Sequence, residues 1–87
     1  MYDTLTINGT KSNISYNVKD YPYEEEVIIQ ATRYMDEAYY PIFNLVYNKK
    51  TKETTLDFLP EMNTTSMGIF ALLYNRALDI LSAHEQY

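Results

Sequence analysis

Cysteine is absent from the chain, histidine occurs once, and glycine occurs only twice. Without cysteine no disulfide can cross-link the fold, and thiolate-bound zinc is excluded. That absence fits a reducing compartment better than an oxidising one, and a cytoplasmic protein is the expectation. A phosphate cradle needs a glycine-rich turn running into a helix. Gly9 lies in a turn-like "NGT" and Gly68 in a helical pattern, and neither belongs to such a motif. Nucleotide binding is therefore not expected. Nucleophilic catalysis needs a hydroxyl or thiol beside a base that a third group orients. The single histidine, His84, has Ser82 two positions away, and on a helix that spacing points the two apart. A histidine near a helix C-terminus suits the helix dipole and needs no catalytic role.

Long apolar runs are also missing. The longest, "IFALLY" from Ile69 to Tyr74, is far short of the roughly 20 residues that cross a bilayer as a helix. The segment "MYDTLTINGT" is polar and lacks the basic-then-apolar order of a signal peptide. The asparagines of "NGT", "NIS" and "NTT" match a glycosylation pattern, but in a cytosolic chain they read as turn and cap residues. With 87 residues the chain holds one domain. A domain this small buries roughly 60–65% of the surface its unfolded chain exposes, so its stability margin is narrow.

What is present is acid and tyrosine. The net charge is −5, and it is unevenly spread: residues 21–40 carry −4. A net acidic protein is repelled by phosphate backbones, so direct nucleic-acid binding is not expected. Lys49, Lys50 and Lys52 beside Tyr47 could touch nucleic acid, but in a chain of this charge they read as a solvated turn. Metal binding is not expected either. Asp36 and Glu37 are adjacent and would diverge on a helix, Glu24, Glu25 and Glu26 would fan around a first turn, and no calcium-loop spacing occurs. No catalytic residue, cofactor or metal ligand is assigned.

The hydrophobic pattern suggests an α+β order, ββαββα. Leu5 and Ile7 alternate with threonines, and Ile14, Tyr16 and Val18 resume the alternation after "NGTKSN". Period-two strands flanking Asn-Gly signal a hairpin. Pairing Ile7 with Ile14 keeps the apolar residues on one face, and a tighter turn at Asn8-Gly9 preserves the same faces. Pro22 suits the first turn of a helix. Ile28, Ala31, Met35 and Ala38 then form one helical stripe, with Val27 and Tyr34 beside it, and Pro41 ends it. "IFNLVYNKKTKETTLDFL" reads as a second hairpin, with Phe43, Leu45 and Tyr47 on one face and Leu56 and Phe58 on the facing strand. Asn63, Thr64 or Thr65 can cap a last helix from Ser66 to about Glu85. The expected architecture is a four-stranded antiparallel sheet with two helices packed on one face.

On that architecture the first helix carries the candidate surface. Acids in its first turn complement the helix dipole. Asp36 and Glu37, near its other end, do not, and an i,i+4 pair of Arg33 with Glu37 recovers only about 0.2–0.5 kcal/mol. Acid that folding does not require, flanked by tyrosines, points to a partner. The expected partner-binding residues are Glu24, Glu25, Glu26, Arg33, Asp36, Glu37, Tyr39 and Tyr40. The last helix is apolar on more than one side. Phe70, Leu73, Ala77, Ile80 and Leu81 can face the sheet, leaving Ile69 and Leu72 to meet the first helix or, as an alternative, a second copy in a homodimer.

In size, acidity, lack of cysteine and lack of motifs the chain resembles small phage-encoded anti-defence proteins, such as anti-CRISPR inhibitors. The resemblance implies a non-enzymatic, stoichiometric inhibitor acting in the host cell cytoplasm. Its partner would be another protein, a nucleic-acid-binding enzyme or effector complex of bacterial defence. Acidic side chains on a rigid scaffold can occupy a basic channel by the attraction that normally draws in DNA or RNA.

Overall fold

A computed structural model describes residues 2–7 and 9–85. Five strands form one antiparallel meander in chain order: β1 (Tyr2–Ile7), β2 (Thr10–Asp20), β3 (Glu26–Met35), β4 (Ala38–Asn48) and β5 (Thr54–Phe58). A short 3-10 helix (Pro60–Thr64) leads into one α-helix, α1 (Met67–Glu85), which lies across one face of the sheet. The α+β class holds, but the expected four strands and two helices are corrected to five strands and one helix.

The correction lies in residues 22–40. Val27, Ile29, Ala31 and Arg33 are all buried, which is the period of a strand. The β-branched run Val27, Ile28, Ile29 favours that state. Val27 and Ala31, four apart, satisfy both periods, which is why a helical stripe could be drawn through this segment. Pro22 opens a turn instead of a helix, and the Glu24 N–H donates to the Tyr21 carbonyl at 3.0 Å. The connection from β3 to β4 is a two-residue turn with Asp36 at φ 52° and Glu37 at φ 62°, the left-handed pair of a type I′ hairpin.

Pro41 does not end an element; it sits within β4. Ala31 pairs with Phe43 and Thr32 with Pro41, so Ile42 is an extra residue on β4. This bulge turns both Ile42 and Phe43 into the core, and its irregular ladder tolerates a residue with no N–H. The Ile42 carbonyl accepts from the Leu59 N–H at 2.9 Å, which ties the end of β5 to the bulge.

The other hairpins follow the alternation. Ile7 pairs with Thr10, Leu5 with Ser12 and Asp3 with Ile14, the register of the tight turn instead of the Ile7–Ile14 pairing. Gly9 supplies the positive φ (79°), while Asn8 lies outside the described residues. The β4–β5 hairpin forms as expected, and its register sets Phe43 opposite Phe58 and Leu45 opposite Leu56. The α1 N-terminus is capped by Ser66, whose Oγ accepts from the Ile69 N–H at 3.3 Å. Leu73, Ala77 and Leu81 form the buried stripe of α1 and close a core with Ile14, Tyr16, Ile29, Phe43 and Leu45. Each large side chain buried there stabilises the fold by about 1.5–3 kcal/mol. Phe70 bridges α1 to the sheet edge through edge-on contacts with Phe43 and Phe58, both at 5.6 Å between ring centroids.

Candidate interaction surface

Among the described residues one α-helix covers one face of the sheet, and nothing covers the other. Its side chains follow from the register: Thr4, Lys11, Asn13, Ser15, Asn17 and Lys19 from β1 and β2, then Ile28, Gln30, Thr32 and Tyr34 from β3, then Tyr39, Asn44 and Val46 from β4. Antiparallel sheets commonly solvate one face, and here the outward face is mostly polar, with Ile28 and Val46 as its aliphatic members and Thr32 buried among its neighbours. The polar groups are ordered among themselves. Gln30 Nε2 donates to Asn44 Oδ1 at 3.0 Å, Thr32 Oγ1 to Gln30 Oε1 at 3.3 Å, and Thr4 Oγ1 to Asn13 Oδ1 at 3.1 Å. At the end of this row, directly cross-strand, Tyr34 and Tyr39 place their ring centroids 4.9 Å apart, with Tyr39 70% exposed. Rigid rings beside adaptable amides and hydroxyls have the composition of protein-binding surfaces.

The residues expected to share one acidic helix face are dispersed. Glu24 and Glu25 lie in the loop before β3 and Glu26 begins that strand, whereas Asp36 and Glu37 form the turn after it. A ten-residue strand separates the two groups by about 30 Å at the usual rise per residue. Tyr39 reaches the open face, while Tyr40 pairs with Arg33 and is half-buried. Arg33 is not a surface residue at all. It is 4% exposed, its Nε donates to Ser12 Oγ at 2.8 Å, Nη1 to Glu61 Oε1 at 3.0 Å, and Nη2 to the Ile7 carbonyl at 3.4 Å. A helix over this segment does not bring Gln30 and Tyr34 to the open face beside Asn44, which the second hairpin already places on a strand; the alternation of Ile28, Gln30, Thr32 and Tyr34 is the signal for them.

His84 is also placed by the fold. Its Nε2 lies 2.5 Å from Asp20 Oδ2, and Lys49 Nζ approaches Asp20 Oδ1 at 2.5 Å and donates to the Tyr21 carbonyl at 3.1 Å. These contacts tie the end of α1 to the β2–β3 and β4–β5 connections. The two bonds from Lys49 and His84 hold the Asp20 carboxyl below its ordinary value. Among the described residues no group of three or more His, Asp or Glu side chains could hold a metal ion, and no helix is long and apolar enough to cross a membrane.

The expected dimer residues divide. Ile69 packs against the core, and Leu72 is 47% exposed. Leu72 borders a groove of about 590 Å³ between β1 and α1, lined by Asp3, Thr4, Leu5, Leu72, Asn75, Arg76 and Asp79. Behind it, Arg76 Nε and Nη2 donate to the Asp3 carboxylate, both at 3.3 Å, and the Tyr16 hydroxyl donates to Asp3 Oδ2 at 3.0 Å.

Comparison with known proteins gives no match: no family model fits the chain, and neither a curated protein nor a solved structure is similar to it.

Proposed function

We infer that this chain is a non-enzymatic protein-binding module that meets its partner through the open face of the sheet. The observation that carries the reading is the Tyr34–Tyr39 pair, standing at the end of the Gln30–Asn44 amide row. Exposed tyrosines supply large, rigid contact area with a polar tip, and they dominate interface energies when a partner desolvates them. Amides and hydroxyls around them can adapt to a partner's hydrogen bonds. The acids sit at the two ends of β3 instead of in the centre, which is the arrangement of a polar rim. There they steer association more than they add affinity. With a net charge of −5 and acids at both ends of β3, the partner favoured is a protein that is basic around the contact, while Lys11 and Lys19 are the charges on the face itself. A bacterial defence nuclease or effector complex has that character, and the action is stoichiometric inhibition.

The test compares three immobilised chains in a bacterial lysate: wild type, Tyr39→Ser and Tyr23→Ser. Tyr23 is 84% exposed but lies in the loop before β3, away from the Tyr34–Tyr39 pair. The expected result is a protein held by wild type and Tyr23→Ser and released by Tyr39→Ser, with an affinity loss of about tenfold or more. Equal retention by all three would rule out the open face. A set of captured proteins that survives high salt unchanged would rule out the basic partner.

A further inference from the structure

The groove between β1 and α1 is a second, independent surface. β1 is an edge strand, so alternate residues turn their N–H and C=O groups outward with no strand to receive them among the described residues. Beside that edge, half-buried Leu5 and 47%-exposed Leu72 make an apolar floor. Two carboxylates border it, in different states. Asp3 is satisfied by Arg76 and Tyr16. Asp79 is exposed and has no hydrogen bond or ion pair among the described residues.

We propose that this groove docks an extended segment of a partner protein as an added strand along β1, with an apolar side chain over Leu5 and Leu72 and a Lys or Arg side chain against Asp79. The backbone edge supplies affinity without sequence preference, and the groove reads alternate side chains. The spacing is consistent. Leu72 and Asp79 are seven residues apart on α1, about 10 Å along its axis. About three residues of strand cover that distance, so a basic residue two or four positions from the apolar one reaches the carboxylate. A second copy of this chain fits less well. β1 contains no Lys or Arg, so edge-to-edge pairing of two copies brings no cation to Asp79 and adds the carboxylate of Asp3.

The experiment uses the full chain, nitrogen-labelled, and short threonine-rich peptides carrying one leucine and one lysine two positions apart, in both sequence orders. Matched peptides carry glutamate in place of lysine. The expected result is binding of a leucine–lysine peptide that slows hydrogen exchange at β1, with the glutamate peptide about tenfold weaker or more. Asp79→Lys should reverse that preference, and Leu72→Glu should weaken both. Because Asp79 is exposed, Asp79→Lys decides the matter even where Leu72→Glu perturbs folding. Absence of binding, equal binding of the two peptides, or changes confined to residues around Tyr34 and Tyr39 would overturn the proposal. So would a dimer of the free chain that Leu72→Glu dissociates, since the occupant would then be a second copy. Loss of the Tyr39-dependent partner leaves this proposal standing, because the groove is tested at Leu72 and Asp79 on α1, which lie off the open face, although Thr4 borders both surfaces.

Discussion

Arg33 on β3 and Glu61 on the short 3-10 helix form an ion pair at 3.0 Å whose side chains are 5% and 16% exposed. Glu61 also accepts from the Thr64 hydroxyl at 2.9 Å, and Arg33 reaches Ser12 and the Ile7 carbonyl. One guanidinium thus joins β1, β2, β3 and the segment that launches α1. A buried ion pair adds little net stability, because desolvation offsets attraction, but removing one partner strands a buried charge. Glu61→Ala should therefore destabilise the fold by about 3 kcal/mol. The double replacement Arg33→Leu with Glu61→Leu should recover most of that loss. Urea unfolding of the three chains checks this, and a double variant as unstable as the single would mean that the pair contributes by attraction.

Asp36 and Glu37 both hold positive φ without being glycine. A left-handed conformation costs a residue with a side chain about 1–2 kcal/mol, less for Asp than for Glu. Glu37→Gly should raise stability by about 0.5–1 kcal/mol, since it relieves that cost in a turn whose geometry is already set by the flanking strands. The midpoint of urea unfolding should rise with no change in slope. A fall would mean that the Glu37 side chain makes contacts that hold the hairpin.

That same turn explains how much of the fold could be read from the chain. The β1–β2 hairpin announced itself through Asn-Gly, the β4–β5 hairpin through alternation on either side of a lysine-rich turn, and α1 through its stripe of Leu73, Ala77 and Leu81. The β3–β4 hairpin carried no such marker. Its turn is Asp-Glu, a pair that also suits a helix surface, and Pro41 sits at a bulge that only the paired strand reveals. Arg33 is illegible for a related reason: a charged residue beside acids reads as surface, and its burial is visible only once Ser12, Ile7 and Glu61 are brought around it. The candidate surface was legible as tyrosine in the right region and illegible as geometry, because a period of 3.6 and a period of two select different neighbours for Tyr39.

Tyr16 sets the alkaline limit. Its ring is buried and its hydroxyl donates to Asp3. Burial, then the hydrogen bond and the negative charge of Asp3, push the phenol well above its ordinary value, with Arg76 opposing. The fold therefore favours the neutral phenol. Its contribution to stability is complete below the unfolded value of about 10 and is lost as pH rises from there towards the folded value. Above about pH 10 the unfolded chain has released a proton that the folded chain keeps, so the wild-type stability should fall more steeply with pH than that of Tyr16→Phe, by up to one proton's worth of slope. At neutral pH the order reverses: Tyr16→Phe should be less stable by about 1 kcal/mol, having lost the bond to Asp3. Urea unfolding at a series of pH values from neutral to alkaline separates the two effects. Parallel curves for the two proteins would mean that Tyr16 ionises freely in the folded chain.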